Sequence, residues 1–97
     1  MQTLKEYQKA FSTAAAKKFP INAKWNQKDR VLSIQRQLAD VGGALQKEEG
    51  IYTHDNHAYN DTDHRIAALI ADILILVDSR GFDIDTELAE VLKWYQD

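Results

Sequence analysis

The stretch IAALIADILILV, residues 66–77, sets one charged side chain among eleven apolar ones. The run reads as part of a helix that is apolar on almost every side, and such helices are buried on most of them. Twelve residues rise only about 18 Å as a helix, short of the roughly 30 Å core of a bilayer, so protein must supply the cover. The charge is Asp72, whose neighbours one turn away are Ala68, Leu69, Ile75 and Leu76. None of them can pair with it, and an unpaired buried carboxylate is costly enough to take up a proton instead. Asp72 must therefore meet a cation, a donor or water in a cleft. It is either one half of an ion pair or capping contact with another helix, or a metal-binding carboxylate.

Three further helices are predicted around that segment, and no strand. The first opens on Thr3 with Glu6 three residues on, a capping box, and carries Leu4, Tyr7, Phe11 and Ala14 as one apolar stripe. Pro20 breaks helical continuity. Asn26 caps the second helix, whose residues Val31, Ile34, Leu38, Val41 and Leu45 step 3-4-3-4, a seam for packing on another helix. Gly50 ends it, and Gly42 and Gly43 inside it imply close approach of a helix or ligand, since each costs roughly 1 kcal/mol against alanine. After a linker over residues 51–62, Asp61 or Thr62 caps the apolar helix and Gly81 stops it. Asp83 or Asp85 then caps a last helix striped by Ile84, Leu88, Val91, Leu92 and Tyr95.

The expected architecture is all-α, a small four-helix bundle forming a single domain over residues 1–97. One apolar helix among four short ones leaves surface uncovered, so completion by dimerisation or tetramerisation is expected. There is no run of eighteen apolar residues and no cysteine, which removes a membrane span, a disulfide framework and a thiolate zinc site. A cytoplasmic protein is the simplest expectation. Residues 1–50 carry nine basic against five acidic side chains, and residues 51–97 three against ten, so +4 and −7 sum to −3. A basic half can attract phosphates and an acidic half cations, although solvated helix faces explain both. With no dense basic stripe, nucleic acid is not an expected partner.

LADVGGALQKEEG followed by IAALIADILILVDSRGFDID resembles the core of the MazG-like all-α nucleoside triphosphate pyrophosphohydrolase superfamily, over about residues 25 to 95. In that family a Glu-x-x-Glu pair, a linker and a Glu-x-x-Asp pair present four carboxylates to Mg²⁺. The resemblance places Asp40 on the first Glu, Asp72 on the Asp, and GFDID on the family's Gly-hydrophobic-Asp turn. It implies that Asp40 and Asp72 hold Mg²⁺ or Mn²⁺ and are catalytic, splitting a nucleoside triphosphate into monophosphate and pyrophosphate. The chain departs from the pattern at Gly43 and Leu69, where the family has acids. Val91 and Tyr95 stand where it has Lys and Asn, with Lys93 nearby but out of register. Two carboxylates of four imply weakened or lost catalysis.

The segment HDNHAYNDTDH holds His54, His57 and His64 at a spacing that matches no zinc pattern, and it reads as a polar connection between antiparallel helices. Glu48 and Glu49 lie near it but outside the family's geometry. Asp40 has a local partner in Arg36, four residues earlier. Trp25 and Trp94 read as packing anchors rather than base-stacking platforms, and Lys24, Lys28 and Arg36 as solvated cations. The leading functional expectation is a Mg²⁺-dependent pyrophosphohydrolase with catalysis weakened or lost. The alternatives are a non-catalytic nucleotide- or cation-binding relative, or a helical module that associates with itself or a partner.

Overall fold

A computed structural model describes residues 2–50 and 61–97, and among them every regular element is helical. The capping box of α1 (Leu4–Lys18) forms as expected: Thr3 Oγ1 accepts from the Glu6 N–H, and the Glu6 carboxylate accepts from the Thr3 N–H. Pro20 then starts a 3₁₀ turn over Pro20–Lys24, where its missing N–H costs nothing. Helix α2 (Gln27–Glu48) is capped by Asn26, and Asp29 returns the hydrogen bond to close a second capping box. Helix α3 (Thr62–Arg80) begins at Asp61, whose carboxylate accepts from the His64 N–H while its own backbone sits at φ 60°. Aspartate tolerates that left-handed conformation better than most residues. Gly81 takes it at the other end, at φ 70°. Asp83 caps α4 (Ile84–Gln96) by accepting from the N–H groups of Asp85 and Thr86.

Helix α3 lies between α2 and α1, while α4 rests on α1. Two contacts fix the antiparallel α2–α3 pairing: Arg80 Nη1 donates to Gln27 Oε1 at 3.0 Å, and the Thr62 hydroxyl donates to the Glu48 carboxylate. Helix α1 also runs antiparallel to α3, with Gln8 Nε2 donating to Asp78 Oδ1 at 3.0 Å near the start of one and the end of the other. The buried apolar residues are Val41, Ala44, Leu74 and Val77, a thin core.

Two packing expectations are corrected. Among the described residues the seam of α2 closes only in part: Val41 is buried and Ile34 half-buried, but Val31, Leu38 and Leu45 remain exposed. The apolar helix is likewise only half covered, with Ile66, Ile70 and Ile73 exposed. A helix flanked on two sides by neighbours still has a third side, and no element of the described chain fills it. Gly42 also lacks the expected neighbour, since a Cβ placed there would meet nothing within 4 Å. Gly43 is buried. No helix among the described residues is long and apolar enough to cross a membrane.

Candidate functional site

Asp72 is buried, at 5% exposure, on the face of α3 that meets the first turns of α2. Both of its oxygens are engaged there. Arg30 Nη1 donates to Oδ1 at 2.7 Å, and Ser33 Oγ donates to Oδ2 at 2.7 Å. The two donors sit three residues apart, so one face of α2 presents a cation and a hydroxyl together. The pair is largely dry, with side-chain exposures of 12% for Arg30 and 6% for Asp72. On its other side the guanidinium lies 4.8 Å from the centre of the Trp25 ring, which shields it and adds a cation–π attraction. Trp25 is thus an anchor for the arginine, and Trp94 is an exposed residue packed edge-on against Tyr95.

The donors on Asp72 are Arg30 and Ser33; Asp40 lies seven residues beyond Ser33 on α2, about 10 Å further along that helix, and makes no hydrogen bond to either of them. Asp40 is half-buried and makes no ion pair with Arg36, so the local contact expected from their spacing does not form. Leu69 is half-buried on α3, and Val91, Lys93 and Tyr95 are exposed on α4, which packs on α1. His54 and His57 lie outside the described residues; His64 is exposed at the start of α3. Among the described residues no three His, Cys, Asp or Glu side chains come together as a metal site. Mg²⁺ requires several oxygen ligands, and here the one buried carboxylate already faces a guanidinium. With both oxygens accepting from Arg30 and Ser33, Asp72 in this arrangement does not fit the role of a ligand to a divalent ion.

A hollow of about 530 Å³ opens beside the pair, between α1, the 3₁₀ turn, α2 and α3. Its walls are made by small or apolar side chains, Ala14, Ala15, Ala67, Ala68, Ala71 and Ile75 among them. Its polar groups among the described residues are Asn22, Arg30, Ser33, Gln37 and Asp72, with Lys18 and His64 also on its border. The Gln37 Oε1 atom is buried and has no donor. A second carboxylate is well satisfied: Asp78 is held below its usual range first by the Gln8 amide, then by the Ser12 hydroxyl and Lys9, against the opposing effect of burial.

Sequence reasoning found Asp72 and missed Arg30, Ser33 and Gln37. The available signal was their i, i+3, i+7 spacing, a polar stripe on α2 beside the apolar seam. Compared with known proteins, the chain matches no family model, no curated protein and no solved structure.

Proposed function

We propose that this chain is a helical association module that works as an assembly of identical copies, with α4 at the contact. The observation that carries the reading is the apolar stripe of α4. Leu88, Val91, Leu92 and Tyr95 recur at i, i+3, i+4 and i+7, the pattern of a helix made to pack, yet all four are exposed. Leu88 and Val91 also line a hollow of about 460 Å³ with Phe82 and Ile84, a socket suited to side chains from a facing helix. Sedimentation velocity tests the reading. The full chain should run as a dimer or tetramer, and Leu88→Glu with Leu92→Glu should yield a folded species of smaller mass. A wild-type monomer at high micromolar concentration would end the proposal.

Membership of the MazG-like superfamily, with Mg²⁺- or Mn²⁺-dependent hydrolysis of a nucleoside triphosphate, is the second reading. One observation favours it: a hollow borders the carboxylate at Asp72. It ranks below association because Arg30 already neutralises that carboxylate and Ser33 takes its second oxygen. Pyrophosphate release from a nucleotide panel with either metal, lost on Asp72→Asn, would reverse the ranking.

A further inference from the structure

We infer that the hollow between α1, α2 and α3 is a binding site for a small monocarboxylate with an apolar tail and a hydrogen-bond donor beside its carboxylate. The site is independent of the contact assigned to α4, none of whose residues lines it. A volume of about 530 Å³ falls within the range of small-molecule pockets. Alanines supply the space. Ala14 and Ala15 on α1 face Ala67, Ala68 and Ala71 on α3, where larger side chains would have closed the two helices into a core.

The charges select an anion. Among the described residues, Lys18 and Arg30 are the cations on the border and Asp72 is the one carboxylate. Arg30 and Asp72 cancel each other at 2.7 Å, so the charge left over is that of Lys18. Its ammonium lies 5.6 Å from the Phe19 ring centre and has no carboxylate within 4 Å among the described residues. A guanidinium carries five N–H groups, and Arg30 spends one on Asp72. One spare positive charge suits a monoanion; a triphosphate would bring several charges more than these residues can match.

The orphaned acceptor selects the rest. A buried carbonyl oxygen without a donor is an unfavourable arrangement that a ligand hydroxyl or N–H would relieve. Gln37 Oε1 is such an atom on this border. Because α1 and α2 both run antiparallel to α3, with Gln8 against Asp78 and Gln27 against Arg80, Lys18 and Gln37 both come level with the Ala68–Ala71 stretch of α3. A carboxylate at Lys18 with its neighbouring hydroxyl on Gln37 leaves the tail along the alanines toward Ile75.

The probe is 2-hydroxyoctanoate, titrated into the full chain by calorimetry and followed by the indole N–H signals of the two tryptophans. The expected result is one saturable site per chain, with the Trp25 signal moving, because Trp25 stacks on Arg30, and the Trp94 signal static. Lys18→Glu, an exposed position, should weaken binding at least tenfold, as should replacing the acid by 1,2-octanediol or removing its hydroxyl. Ala71→Leu should abolish it by filling the hollow. Absence of binding at millimolar probe overturns the inference. So does binding that is unchanged in both variants or that moves Trp94 instead, since the probe would then be coating an apolar helix face.

Discussion

At the scale of single residues, the carboxylate of Asp72 and the guanidinium of Arg30 are each tolerable only because the other is there. Breaking a buried pair on one side typically costs about 3–5 kcal/mol, because the remaining charge has lost both water and its partner. Asp72→Ala should lose stability of that order in urea unfolding, whereas Arg30→Met combined with Asp72→Leu should be near neutral or stabilising. Additive losses in the double variant would show that the pair contributes nothing as a pair. Asp78 makes a prediction of opposite character. Its folded-state pKa is depressed, chiefly by Gln8, so the stabilisation it contributes is present above the unfolded value of about 3.9 and is lost as pH falls toward the folded one. Unfolding measured between pH 5 and 2 should therefore show a smaller acid loss in Asp78→Asn than in the wild type. The need for a partner at Asp72 was legible in the sequence, because apolar residues flank it on every side. The partner's identity was not. Local spacing offered Arg36 to Asp40, a pair that does not form, and only the register of α2 against α3 selects Arg30 and Ser33.

At the scale of elements, the helix boundaries follow from chemistry that is local in the chain, and they were largely readable. Thr3, Asn26, Asp61 and Asp83 all cap, and Pro20 and Gly81 interrupt. Packing was less readable, since the apolar stripe of a helix states that it wants cover and not what provides it. The seam of α2 and the stripe of α4 show the same failure for the same reason. Gly42 is the position where this matters for stability. It is helical and exposed, and open space surrounds the place of its missing Cβ. Gly42→Ala should thus raise stability by about 0.5–1 kcal/mol through helix propensity. A loss of stability in thermal unfolding would instead reveal close approach of a partner on that side of α2.

At the scale of the whole molecule, the question is whether the apolar surface left over is enough to drive assembly. Fully burying a Val, Leu or Ile side chain is worth about 1.5–3 kcal/mol, so covering the exposed half of one gives about 1 kcal/mol. Leu88, Val91 and Leu92 on α4 are each about half exposed, at 47%, 50% and 56%, and Leu38 and Leu45 on α2 and Ile66, Ile70 and Ile73 on α3 are similar. Contact through α4 alone would supply about 6 kcal/mol from both copies, within the range of 4–15 kcal/mol that association itself consumes. Adding the uncovered sides of α2 and α3 brings the total to roughly 16 kcal/mol, which covers even the upper end of that cost. Tight assembly thus requires more than one of these faces, and a tetramer using α4 at one contact and the α2–α3 side at another meets that requirement better than a dimer through α4. The consequence appears in unfolding. If folding and assembly are linked, mass action makes the unfolding midpoint rise with protein concentration. The wild type should gain several degrees between 1 and 100 μM, and Leu88→Glu with Leu92→Glu should flatten only part of that slope, with Leu38→Glu and Ile70→Glu removing the rest. A midpoint independent of concentration would mean that these helices are stable alone, with their apolar sides open to water.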